Sequence, residues 1–246
     1  MPLDDLFRDV ASVALGAASE HGFVLGGGNA LIAHGIIDRP TQDVDLVSDQ
    51  EHGVRAAADA VEAALAGAGY RAERQDKTTG LDDVFAGLDE EMAEGLAEWT
   101  VTAPDGRQLA LQMAYFERSR APVVMEFGPV QDLEDALGHK TAALATRAYE
   151  RDYSDVAHAL RHYSLDQLMD FARRADPGLT PEDFADAGTR LDRLSDVRFA
   201  DAGLSPADVA TIRERFAAWP REAPQRMASP AAEPAAGPQA DREAGQ

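Results

Sequence analysis

The stretch Phe23–Val47, FVLGGGNALIAHGIIDRPTQDVDLV, decides the reading of this chain. It opens on a short apolar run, Phe23-Val24-Leu25, that ends in Gly26-Gly27-Gly28 and predicts a strand running into a tight turn. A short helix is expected over Asn29–His34. After a loop, Asp43-Val44-Asp45-Leu46-Val47 alternates polar and apolar residues, as a half-buried strand does. Side chains two apart on a strand face the same way, so Asp43 and Asp45 are expected side by side. Two like charges on one face repel, and a hard divalent cation relieves that repulsion through oxygen ligands. Upstream, Gly27 and Gly28 let backbone approach an anion closely, and the N–H groups of Gly27, Gly28 and Asn29 at the helix start favour phosphate. Each feature alone is weak, since glycine pairs are usually turns and D-x-D is often a solvated face. Together and in this order they point to a metal–phosphate site.

Outward from this block, Leu3–Glu20 has helical periodicity, and Val54–Ala66 is an Ala-rich helix stopped by Gly67 and Gly69. Tyr70–Glu73 is a candidate strand, and Gln75–Glu94 is ambiguous. Trp99–Thr102 and Gln108–Tyr115 flank Pro104-Asp105-Gly106 and read as a hairpin. Val123–Phe127 is a further candidate strand. From Asp132 the pattern becomes helical. Ser164, Thr180 and Ser205 each precede a helix start and have Gln167, Asp183 and Asp208 three residues on, which is capping-box spacing. From Pro220 the chain is rich in Pro, Ala, Glu and Gly without periodicity and is expected to be a disordered tail. The expected organisation is 1–130 as a mixed sheet with helices, 131–219 as an all-helical half, and 220–246 as the tail. The class is α+β.

With 246 residues and 45% hydrophobic content the chain can bury a substantial core. It has no cysteine, which excludes disulfides and thiolate zinc sites. It also has no long apolar run or signal-like start, so a cytoplasmic location with no membrane association is expected. The net charge of −21 disfavours tight gripping of nucleic acid over long range, although Arg118, Arg120, Arg173 and Arg174 offer local basic patches.

The block resembles the nucleotidyltransferase signature, and more closely the AbiEii family of type IV toxin–antitoxin and abortive-infection toxins. The likeness rests on Gly27-Gly28-Asn29-Ala30-Leu31, His34-Gly35, and Arg39-Pro40-Thr41-Gln42-Asp43-Val44-Asp45-Leu46. A second segment follows the same family pattern: Lys140, Ala143-Leu144, Arg147, then Arg151-Asp152-Tyr153-Ser154-Asp155. The resemblance implies a nucleotidyltransferase-type N-terminal half and transfer of a nucleotide from a nucleoside triphosphate to an acceptor hydroxyl. It implies Mg²⁺ or Mn²⁺ on Asp43 and Asp45, triphosphate contacts from Gly27, Gly28, Asn29, Arg39, Thr41 and Lys140, and a pocket completed by Asp152 and Asp155. Lys140 and Asp155 join the two metal-binding acids as candidate catalytic residues. It further implies an RNA acceptor such as tRNA, and a cognate antitoxin.

Plainer readings accompany these. Lys140 can also be read as a surface lysine with Arg147 as its neighbour, Asp152 as a helix cap, and Arg39 as a partner of Asp38 or Asp43. His34 reads better as a helix-end residue than as a metal ligand. The family pattern also leads one to expect a third carboxylate on the strand Leu109–Tyr115. The polar position there is Gln112, which cannot act as a base, and Glu117 lies just beyond. That leaves open a small-molecule or protein acceptor, a nucleotide-binding protein without turnover, or an adaptor.

Overall fold

The computed structural model describes residues 5–39, 41, 43–50, 52–75, 95–126 and 128–223. Seven strands form one sheet in the order β3-β4-β5-β2-β1-β7-β6. They are β1 (Val24–Leu25), β2 (Asp43–Ser48), β3 (Arg71–Arg74), β4 (Leu96–Thr102), β5 (Gln108–Tyr115), β6 (Val123–Met125) and β7 (Gly128–Val130). β2 runs parallel to β5, and β1 parallel to β7; the other neighbours are antiparallel.

Alternation decides which face of the sheet is dry. Val44, Leu46, Trp99, Val101, Leu111 and Met113 point one way and are fully buried. Against them pack α1 (Asp5–Ala18) and α3 (Gly53–Gly67), whose apolar stripes include Leu6, Val10, Ala14, Ala57, Val61 and Leu65. Trp99 also donates from Nε1 to Glu62 of α3 at 2.6 Å, so its polar edge is satisfied. The alternate residues Asp43, Asp45, Gln112, Glu98 and Thr100 lie on the other, partly open face. A slip of one residue in β2 would bury both acids, so the hydrophobic pattern fixes where they point.

The short helix α2 (Gly27–Ala33) leaves β1 and packs against α4 (Leu133–Thr146). Asp132 caps α4 by accepting the Glu134 N–H at 2.9 Å. α4 crosses α6 (Leu165–Ala175) closely at Gly138, where a β-carbon would meet the Phe171 carbonyl oxygen at 2.6 Å. α5 (Glu150–Ala159), α7 (Pro181–Arg193), α8 (Asp196–Asp201) and α9 (Pro206–Arg215) complete the helical part. Tyr153 of α5 is fully buried, donates to the Ala187 carbonyl at 2.7 Å and meets Phe216 edge-on. One buried cluster runs from Leu6 to Trp219 through both halves.

The expected capping boxes are present: Ser164, Thr180 and Ser205 accept from Gln167, Asp183 and Asp208. α2 begins at Gly27, two residues earlier than expected, so the glycines are its first turn rather than a lead-in. α5 begins at Glu150, so Asp152 lies in its first turn rather than ahead of it, and β7 was not expected from the sequence. Most of the ambiguous stretch Gln75–Glu94, and the tail from residue 224, lie outside the described residues.

Candidate active site

β2 delivers two acids to the open face. Asp43 and Asp45 flank the fully buried Val44, and Asp45 stands abreast of Gln112 on β5. The glycine turn presses against Asp45 from the side. The Gly26 N–H donates to the Asp45 carbonyl at 2.8 Å, and the Gly28 N–H hydrogen-bonds the Asp45 carboxyl. Gly27 has φ +54°, and a β-carbon there would lie 2.1 Å from Asp45 Oδ2. Only glycine permits that approach.

Asn29 is buried and clamps this arrangement. Its Nδ2 donates to the Asp43 carbonyl at 3.1 Å and to Asp45 Oδ2 at 3.4 Å, while its Oδ1 accepts from Thr41 Oγ1 at 2.9 Å. The side chains of Asn29 and Thr41 thus tie α2 and the following loop to β2.

A second cluster faces the first. Arg39 donates to both oxygens of Asp155, from Nε and Nη2 at 2.7 Å each. Lys140 Nζ lies 3.2 Å from Asp152 Oδ1 and 3.2 Å from Asp155 Oδ2. Arg147, at the end of α4, donates from Nε to Asp152 Oδ2 at 3.0 Å. Asp152 also accepts the Tyr149 N–H at 3.2 Å, closing the first turn of α5. It therefore caps a helix and belongs to this ion-paired cluster at once. Lys140 is no surface lysine: its side chain is 13% exposed and faces inward. Arg39 has a long-range partner in Asp155 that the sequence reading did not consider. His34 closes α2 by hydrogen bonding the Gln131 carbonyl through Nε2 at 2.9 Å.

The electrostatics link the clusters. Burial, then repulsion from Asp43, pushes the Asp45 carboxyl up to about 7, against the pull of Lys140, the Gly28 amide and Arg147. Burial alone would lower the Lys140 ammonium, but Asp155 and Asp152 hold it above its usual range. Burial would likewise raise Asp152, but Lys140 and Arg147 hold it below the usual carboxylate range. Arg39 and Arg147 are strengthened as cations by Asp155 and Asp152, which outweigh the opposing effect of burial. Asp152 and Asp155 are thus neutralised by protein cations, whereas Asp43 and Asp45 face each other with their repulsion unresolved.

This donor set suits a hard divalent ion. Mg²⁺ is commonly held by one or two carboxylates, with substrate phosphates and water filling the remaining positions. Among the described residues no group of three or more metal-ligating side chains occurs, so the carboxylate pair is the candidate.

The AbiEii family model, described as a nucleotidyl transferase toxin of type IV toxin–antitoxin systems, matches residues 13–232. The chain belongs to the AbiEii family. It is a nucleotidyltransferase, and membership implies a nucleotide substrate and an antitoxin partner. Solved structures agree on the fold. JHP933 from Helicobacter pylori matches with a TM-score of 0.54 at 15% identity, covering 88% of this chain and 93% of that one. The nucleotidyltransferase toxin MenT4 from Mycobacterium tuberculosis H37Rv matches with a TM-score of 0.54 at 18% identity, covering 86% and 82%. No curated protein matches this AbiEii chain. Among the described residues no helix is long and apolar enough to cross a membrane.

Proposed function

We propose that this AbiEii chain transfers a nucleotide from a nucleoside triphosphate to a hydroxyl of RNA, with tRNA as the leading acceptor class, in the cytoplasm and under control of an antitoxin. The observation that carries the metal-dependent part is the Asp43–Asp45 pair: two carboxylates on one strand face, one of them raised to about 7. A Mg²⁺ or Mn²⁺ ion held by these two acids would neutralise phosphate charge and orient the triphosphate.

The protein's own groups supply the rest. Gly27 and Gly28 keep the wall beside Asp45 free of side chains, so the phosphate tail approaches backbone. Lys140 and Arg39 line the side of Asp155, where charge builds on the leaving pyrophosphate. Both are already paired with aspartates, so they are positioned before substrate arrives and need little reorganisation during transfer. Arg147 offers a further cation beside Asp152. The acceptor oxygen attacks the α-phosphorus as the bond to the β-phosphate breaks.

The test is a screen of the four labelled triphosphates with Mg²⁺, with and without total RNA. Label in RNA that depends on Asp45 supports the proposal. Label appearing only in protein or in small molecules redirects the acceptor, and no label in any fraction rejects the transfer reading. Growth arrest on expression, relieved by Asp45→Ala, is the expected result for a toxin.

A further inference from the structure

Transfer to a hydroxyl requires a group that takes the proton, and the four aspartates of the site are poorly suited to it. Asp152 and Asp155 are held in ion pairs, and Asp43 and Asp45 are the pair proposed above to hold the metal. The neighbouring position on β5 is Gln112, an amide. The register carries the row one strand further. Asp45 pairs with Gln112, and Gln112 pairs with Glu98 on β4, so the three side chains stand abreast on the open face. Adjacent strands are about 4.8 Å apart, which puts the Glu98 backbone roughly 10 Å from that of Asp45, with Gln112 between. Gln112 Nε2 donates to Glu98 Oε1 at 3.4 Å. Among the described residues no cation pairs with Glu98, and its second oxygen makes no hydrogen bond there.

We propose that Glu98 is the proton acceptor for the attacking hydroxyl, with Gln112 as the positioning residue that aims it. This rests on the nucleotidyl-transfer reading above. As the acceptor oxygen bonds to the α-phosphorus, its proton passes to the Glu98 carboxylate. The bond from the α-phosphorus to the bridging oxygen breaks, and pyrophosphate leaves with that electron pair. No further reactant is needed. The acceptor end then lies over the strip formed by Gln112, Glu98 and Thr100, away from the paired cations that hold the triphosphate.

Glu98→Gln is isosteric and keeps a partner for Gln112. It should lower kcat by about 10²-fold or more while leaving the triphosphate KM and the melting temperature near the wild-type values. The double variant Glu98→Gln/Gln112→Glu returns a carboxylate to the same row and should regain at least about tenfold of the loss. A fall in kcat at unchanged triphosphate KM and unchanged melting temperature is the readout that a purely structural role would not give. An active wild type with Glu98→Gln at native kcat overturns this assignment and leaves the transfer reading intact. So does a loss in which KM rises in step and the double variant stays inactive. A wild type that binds Mg²⁺–triphosphate but transfers nothing overturns the underlying reading, and this one with it.

Discussion

In the absence of a cation, Asp45 destabilises the fold at neutral pH. Its folded carboxyl titrates at about 7, against an ordinary value of 3.8. The unfolded chain releases this proton first, so stability falls as pH rises from about 4 to about 7 and stays low above that. Asp45→Asn should therefore raise the melting temperature of the metal-free protein at pH 8, with the gain shrinking toward pH 5. Mg²⁺ should raise the wild-type melting temperature more at pH 8 than at pH 5.5, and scanning calorimetry at the two pH values checks both. Gly27→Ala should behave in the opposite sense. Its φ of +54° and the 2.1 Å approach to Asp45 Oδ2 make any side chain strained, costing at least about 1–2 kcal/mol and displacing the carboxylate from its partner. Chemical denaturation together with Mg²⁺ titration would read both effects.

At the scale of elements, α5 brings Asp152 and Asp155 to the site, and the cations that meet them come from α4 and from the loop before β2. Removing one buried partner leaves the others uncompensated. Asp155→Ala should cost about 3–5 kcal/mol in a denaturant melt, because Arg39 and Lys140 both lose their carboxylate. Much of this was readable from sequence. The D-x-D alternation gave β2 and its face, and the capping spacings gave the starts of three helices. The hairpin turn at Pro104–Gly106 also implies the pairing of Thr102 with Gln108, and counting outward from it puts Glu98 opposite Gln112. That count was the available signal for Glu98, but it needed the turn type to be fixed first. The Arg39–Asp155 pair was not readable, since 116 residues separate the partners and no local pattern records such a contact. β7 was missed because three residues, Gly128-Pro129-Val130, are too few to show a period.

For the whole molecule, the C-terminal helices are a support for the site. Tyr153, between the two α5 acids, leans on Phe216, which stacks near Trp219 at a ring distance of 4.8 Å. Trp219 donates from Nε1 to the Phe184 carbonyl at 2.8 Å and is buried. Trp219→Ala should cost about 3–5 kcal/mol. Because the cavity opens behind α5, triphosphate affinity should fall with stability, although no phosphate contact is lost; calorimetric binding beside a thermal melt separates the two readings. The family match, over residues 13–232, spans both halves, in keeping with a candidate site that takes one acid pair from β2 and the other, with Lys140 and Arg147, from the helices. The most direct test of the central claim is isothermal titration of a non-hydrolysable triphosphate analogue into wild type and Asp45→Asn, with and without Mg²⁺. Binding that requires Mg²⁺ in the wild type and is lost in Asp45→Asn is the predicted result. Equal, Mg²⁺-independent binding to both proteins would contradict the claim that this acid pair presents the triphosphate.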